Sequence, residues 1–180
     1  MAGCFSYSIL VINDRDVRLL GQNWVYDHTE ATIRGLEGRH SPLVTFHKFD
    51  CNIKRVSAGG FHFVVLLEDG RVFGAGDHSS NQYGIRDTTG NIMEIPNSHF
   101  NGEKIVDIVC GGDSTVFIGA HGSVFSCGIN NPHQFSLTHD ENQGIGKLFY
   151  DKQVKKIFMG EDFTFLIMDN NEVISRSVIN

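Results

Sequence analysis

The stretch that decides the fold runs from Ala58 to Ile85: A-G-G-F-H, then F-V-V-L-L-E-D-G-R-V-F-G-A-G, then D-H-S-S-N-Q-Y-G-I. At its centre two apolar runs, residues 64–67 and 72–76, flank the turn Glu68-Asp69-Gly70-Arg71, which is the pattern of a β-hairpin. Asp-Gly supplies a turn position that needs positive φ.

Three other stretches align with this one. Ala2-Gly3-Cys4-Phe5 leads into 9–12 and 17–21, Cys110-Gly111-Gly112-Asp113-Ser114 into 116–119 and 124–128, and Met159-Gly160-Glu161-Asp162-Phe163 into 165–168 and 173–177. The first positions of the four copies, 2, 58, 110 and 159, lie 56, 52 and 49 residues apart, a period of about 50. The other hairpin turns are Asn13-Asp14-Arg15-Asp16, Ala120-His121-Gly122-Ser123 and Asp169-Asn170-Asn171-Glu172, so Asp69, Asp169 and Asn171 read as turn formers and not as catalytic groups. A strand-like segment precedes each of the last three hairpins (52–57, 104–109, 153–158), and a weaker one stands before that (43–46, 92–95, 147–150). Four short strands per repeat, Gly-rich turns and this period predict an all-β chain: a β-propeller of about three and a half four-stranded blades. The repeats run approximately 2–50, 51–101, 102–151 and 152–180 in a single partial propeller. Residues 29–36 carry a helical pattern that Gly35 and Gly38 weaken.

Glycine makes up 20 of the 180 residues, well above the usual share of about 7%. Gly59, Gly111 and Gly160 hold one repeat position, with Gly60 and Gly112 beside the first two; Gly21, Gly76 and Gly128 hold another, where the fourth copy has Ser177. A side chain at such sites would meet a neighbouring strand or forbid the backbone angles, so these glycines read as structural.

These residues, A-G-G-F-H, L-L-E-D-G-R-V-F-G-A-G and N-Q-Y-G-I, resemble the repeat of the regulator of chromosome condensation family. That repeat carries a Gly-rich strand end with a His nearby, a D-G-x-V hairpin, a terminal Gly and a G-Q-L-G-like turn. The third copy keeps Cys110-Gly111-Gly112, His121-Gly122-Ser123-Val124, Gly128 and Gln134-Phe135-Ser136-Leu137, while the first and fourth are more worn. Kelch repeats share the period and the Gly doublet, but would follow it with Tyr and Trp, and the single tryptophan here is Trp24. The resemblance implies a ring of seven blades and about 350 residues, of which this chain has about half. A half-ring leaves two open strand edges. A longer chain of which this is a fragment, a homodimer closing a ring, or an arc completed by another protein would each cover them. The first and third are favoured, because a two-fold ring of so irregular a repeat demands matched edges. His62 stands at the family's recurring His position, where a hydrogen bond within the blade is expected; the other copies have approximately Ser6, Ser114 and Phe163.

Composition narrows the function. The chain is 41% hydrophobic with a mean hydropathy of −0.14. Fifteen Lys and Arg against twenty-one Asp and Glu give a net charge of −6 and a pI near 5.8, which supply no whole-surface basic field for nucleic acid or anionic lipid. No apolar run approaches the roughly 20 residues that span a bilayer. The N-terminal stretch lacks the basic start of a secretory signal, so an intracellular address, cytoplasmic or nuclear, is expected. Cys4, Cys51, Cys110 and Cys127 form no C-x-x-C pair, and Cys110 and Cys127, within apolar runs, read as buried reduced thiols. The nine histidines show no metal-ligand spacing, and no nucleophile elbow, P-loop or dinucleotide fingerprint occurs. A non-enzymatic chain without cofactor or metal is expected.

Binding then falls to loops at the strand ends. Two equivalent loops follow the last strand of a hairpin: Asp77, His78 and Asn81 in one, and Asn130, Asn131 and His133 in the other, are the candidate partner-binding residues. An insertion at 27–41, mixing Asp27, Glu30 and Glu37 with Arg34 and Arg39, reads as a solvated surface loop. The resemblance also implies a function, since the founding member is an exchange factor for the small GTPase Ran that docks on chromatin. None of its protruding-wedge and propeller-face residues is carried over onto a position of this chain. The expectation is a protein-interaction scaffold that binds a protein partner through propeller-face loops, the partner being another protein or the chain completing the propeller. The alternative is a guanine-nucleotide exchange factor for a Ran-like small GTPase. A plant ultraviolet photoreceptor relative would need a tryptophan cluster, which Trp24 alone excludes.

Overall fold

Each repeat folds as a meander of short antiparallel strands. The computed structural model describes residues 2–3, 7–21, 44–85, 92–129, 144–148, 150 and 153–177. Blade 1 consists of β1 (Ala2–Gly3), β2 (Tyr7–Ile12), β3 (Asp16–Gly21) and β4 (Val44–Lys48). Blade 2 is β5 (Ile53–Ala58), β6 (His62–Leu67), β7 (Val72–Gly76) and β8 (Met93–Ile95), and blade 3 is β9 (Ile105–Gly111), β10 (Ser114–Gly119), β11 (Val124–Gly128) and β12 (Gly146–Leu148). Blade 4 has three strands, β13 (Val154–Met159), β14 (Phe163–Met168) and β15 (Val173–Ser177). Neighbours in every sheet are consecutive in sequence. The 3₁₀ turn Asn97–Phe100 is the one helical element among the described residues. The fold is that of a partial propeller; the helical pattern at 29–36 and the insertion at 27–41 lie outside the described residues.

The short outer strands β4, β8 and β12 each pair with the second hairpin strand before them, β3, β7 and β11. The weak segments thus close the preceding blade. The ladders also fix repeat equivalence: His62 faces Gly76, Ser114 faces Gly128, Phe163 faces Ser177, and Tyr7 faces Gly21. The first-copy counterpart of His62 is therefore Tyr7 and not Ser6. That copy lacks the Gly doublet that would have marked its register, and its sequence alignment slips by one residue. The hairpin turns place Asn13, Asp14, Gly70, Gly122 and Asn171 at positive φ, as their composition predicts.

Strand alternation gives every blade two faces. Ile9 and Val17 of blade 1 meet Phe63, Val65 and Leu67 of blade 2. The opposite side of blade 2, Val64, Leu66 and Val72, meets Ile108, Phe117 and Phe125 of blade 3. Val116, Ile118 and Val124 of blade 3 then meet Leu166, Met168 and Ile157 of blade 4. Burial of each such side chain contributes roughly 1.5–3 kcal/mol, so the three junctions are where the fold is held. The first strands of successive blades, β1, β5, β9 and β13, are neighbours at the inner side of the arc. There the glycines permit backbone contact: Gly60 N–H donates to Gly112 O across the junction at 2.7 Å. A Cβ on Gly59 would lie 2.5 Å from Gly112 O, and one on Gly111 2.3 Å from Gly160 O. Gly76 and Gly128 share φ near +100° (109° and 98°) and would press a Cβ on the carbonyls of Phe61 and Asp113.

Candidate functional site

The turn after each first strand and the loop after each third strand emerge at one end of the blades, tied by matching hydrogen bonds. Asp77 N–H donates to Phe61 O at 2.9 Å in blade 2, and Ile129 N–H donates to Asp113 O at 3.0 Å in blade 3. Phe61, Asp113 and Asp162 hold one repeat position, Asp77 and Ile129 another. The end they form presents exposed apolar side chains, among them Phe61 (36% exposed), Ile129 (41%) and Phe163 (44%), beside Asp77, Asp113, Glu161 and Asp162. None of residues 59–62, 76–80, 111–114, 128–129 or 160–163 is Lys or Arg.

The opposite end, where the hairpin turns lie, is charged in both signs and internally paired. Arg71 Nε meets Asp69 Oδ2 at 2.8 Å and its guanidinium also holds Asp50, whose carboxyl is drawn below its usual range by that hydrogen bond. Between the inner strands, Arg55 Nη1 reaches Asp107 Oδ1 at 2.9 Å, from blade 2 to blade 3. Two further contacts join the same strands and their turns: Lys54 Nζ donates to Val106 O, and Lys104 Nζ to Glu68 O.

The loop after β7 divides in two. Its first half is partly exposed: the Asp77 carboxylate accepts the Ser79 N–H at 2.9 Å and the Ser79 hydroxyl at 3.0 Å, an Asx turn with His78 at its apex. Its second half turns inward. Asn81, at φ 58°, is buried; its N–H donates to His78 O and its own carbonyl accepts from Gly84. Gln82 is buried as well, and its carbonyl accepts the Thr115 hydroxyl at 2.7 Å and the Cys127 thiol at 3.4 Å. Tyr83 follows, packed over Gly74. Of the candidate residues in this loop, Asp77 and His78 are half-buried while Asn81 is buried and shapes the loop; Asn130, Asn131 and His133 lie outside the described residues.

His62 is fully buried beneath this loop. Its Nε2 lies 2.8 Å from Thr115 Oγ1 on the next blade, so the hydrogen bond crosses the junction instead of staying within the blade. Burial pulls the imidazole pKa down to about 4, against the opposing pull of Asp77 and a Ser114 backbone group. The ring is therefore uncharged at neutral pH. Cys110 and Cys127 flank Thr115 on the two neighbouring strands as buried free thiols, and burial pushes the Cys127 thiol up. Among the described residues no three His, Cys, Asp or Glu side chains gather so as to hold a metal ion, and no helix is long and apolar enough to cross a membrane.

Sequence reasoning missed Phe61 and Ile129. The signal was present: each is an apolar residue at a repeat position where the other described copies carry Asp, namely Asp113 and Asp162 against Phe61, and Asp77 against Ile129.

Short antiparallel meanders of three or four described strands, joined by glycine contacts at the inner strands and with loops gathered at one end, form a partial β-propeller. Residues 53–84 match the Regulator of chromosome condensation (RCC1) repeat. The chain is 33% identical over 97 residues to the secretion-regulating guanine nucleotide exchange factor of Bos taurus, an alignment covering 54% of this chain and 21% of that protein. Human WBSCR16 shares the fold at a TM-score of 0.81 with 17% identity, over 96% of this chain and 45% of that one. Prp20p of Saccharomyces cerevisiae, described with its binding properties to Gsp1p and histones, superposes at 0.71 with 17% identity, over 94% of this chain and 41% of that one. The chain thus spans a fifth of the bovine relative's length and less than half of either propeller.

Proposed function

We propose that the chain is a non-enzymatic protein-interaction scaffold that takes a protein partner on the loop end of its blades. The observation that carries the reading is the difference between the two ends. The hairpin end spends its charges on itself, in pairs such as Arg71 with Asp69 and Asp50. The loop end presents Phe61 and Ile129 next to Asp77, His78 and the acidic turns. Large apolar side chains ringed by polar groups are the pattern of a protein-binding patch. Asn130, Asn131 and His133 belong to the same loop series by sequence and are assigned to the same surface. A cytoplasmic or nuclear address goes with this reading.

The exchange-factor name of the bovine relative and the Gsp1p binding named for Prp20p favour a second reading, guanine-nucleotide exchange on a Ran-like small GTPase. An exchange factor must bind the nucleotide-free GTPase more tightly than the loaded form, since only differential affinity displaces nucleotide. The test is calorimetric titration of Ran in both states, with release of a fluorescent GDP followed in parallel. Equal or absent binding and unchanged release are expected of a scaffold. A preference of tenfold or more for the empty form with accelerated release overturns it in favour of exchange. Proteins recovered from extract by the wild-type chain and lost to a Phe61→Glu/Ile129→Glu variant would identify the scaffold's partner.

A further inference from the structure

The turns at the loop end form one continuous row across three blades. Gly60 N–H donates to Gly112 O at 2.7 Å, and Gly112 in turn lies against Glu161, where an added Cβ would stand 2.9 Å from the carbonyl oxygen. Blades 2 and 3 each place one large apolar residue and one carboxylate at this row, in opposite order. In blade 2 Phe61 holds the turn and Asp77 the start of the loop, joined by the bond from Asp77 N–H to Phe61 O. In blade 3 Asp113 holds the turn and Ile129 the start of the loop, joined by the bond from Ile129 N–H to Asp113 O. The four positions make a checker of apolar and acidic groups, and the row continues into blade 4 with Glu161 and Asp162, both exposed.

The sign of the charge is uniform along this row. Its described turns and loop starts carry four carboxylates and no Lys or Arg. By sequence alone, the linking segments 22–43, 86–91 and 130–143 add six acidic residues to three arginines, so they do not reverse it. Turns and linking segments together hold ten of the chain's 21 acidic residues but only three of its 15 Lys and Arg. The net charge of −6 is therefore not spread evenly along the chain.

We propose that the scaffold's partner presents a basic segment to this end, its Lys or Arg side chains meeting Asp77, Asp113 and Asp162 and the apolar side chains between them packing on Phe61 and Ile129. The inference rests on the scaffold reading and narrows the partner by charge. Complementary potentials speed encounter and reject partners of the wrong sign, while well-packed apolar contacts hold the complex. A nucleic acid, or an acidic or phosphorylated segment, would meet like charge here.

The probes are three fluorescent peptides of equal length: one alternating Lys and Arg with Phe and Leu, one with its cations replaced by Glu, and one with its apolar residues replaced by Ser. Their binding to the full chain is read by anisotropy at low and high ionic strength. The first peptide should bind about tenfold tighter than either of the others and lose most of that affinity at high salt. Asp113→Asn/Asp162→Asn and Phe61→Ser/Ile129→Ser should each weaken it about tenfold. Glu68→Gln/Glu94→Gln removes the same charge from exposed positions away from the loop end and should leave the affinity unchanged. Circular dichroism checks that each variant keeps its strands. Equal binding of the basic and acidic peptides, affinity lost as much to Glu68→Gln/Glu94→Gln as to the loop-end variants, or no binding of any peptide overturns the proposal. A natural partner without a basic segment that Phe61→Ser/Ile129→Ser releases overturns it too, yet leaves the scaffold reading standing. Accelerated nucleotide release from Ran with preference for its empty form strikes the scaffold reading itself, and this proposal with it.

Discussion

Protonating His62 should loosen the junction between blades 2 and 3, and the size of the effect follows from its burial. In the unfolded chain the imidazole titrates near 6.5; in the fold it is held at about 4. The folded-state value is depressed, so the unfolded chain binds more protons between these two values, and stability is complete above pH 6.5 and lost as pH falls toward 4. Linkage over this interval gives a loss of about 2 kcal/mol between pH 7 and pH 5 from this one group. A His62→Gln variant keeps a hydrogen-bonding side chain beside Thr115 but cannot titrate, and every other histidine is common to both proteins. Urea unfolding followed by far-ultraviolet circular dichroism at the two pH values supplies the measurement, and the quantity compared is the pH-induced change in each protein. The wild type should lose about 2 kcal/mol more than the variant. Parallel losses would refute the reasoning, because they would mean that the protonated ring is accommodated beside Thr115.

The inter-blade glycines give a sharper contrast. Gly111→Ala should destabilise by about 3 kcal/mol or more, since the new Cβ would lie 2.3 Å from Gly160 O and 2.6 Å from Met159 Cβ. Gly102→Ala, at φ +78° with open space around it, should cost only about 1–2 kcal/mol through backbone strain; urea midpoints compare the two. Thr115→Val removes the hydroxyl donated to Gln82 O and the partner of His62, and should cost about 1–3 kcal/mol by the same measurement. Arg55→Ala should change stability by less than about 1 kcal/mol although it breaks an inter-blade ion pair, because both side chains are solvated. A loss above about 2 kcal/mol would show that the pair is held in a drier setting than its exposure indicates.

The repeat was legible in the sequence wherever backbone geometry restricts residue choice. Gly76 and Gly128 sit at positive φ against a carbonyl, and Gly70, Gly122 and Asn171 at their turns, so few other residues fit. The outer strands were harder to assign. Met93-Glu94-Ile95 and Gly146-Lys147-Leu148 are three residues long, and which neighbour they join depends on pairing that no local pattern encodes. Asn81 and Gln82 read as exposed loop residues because they are polar; they are buried because Tyr83 behind them fills the space over Gly74 and draws the chain between two blades. His62 was recognisable as a repeat position, but the side to which its ring turns is set by the neighbouring blade.

The junctions set an order of opening. Each blade is a local meander stabilised mainly by the blades on either side, so the arc behaves as a short one-dimensional array whose members cooperate only with their neighbours. Among the described residues, blades 2 and 3 are clasped on both faces. Amide hydrogen exchange should therefore be slowest in β6 and β10, the central strands between two junctions. Such a molecule frays in whole blades, and an insertion or exchange of a complete repeat disturbs two seams and little else.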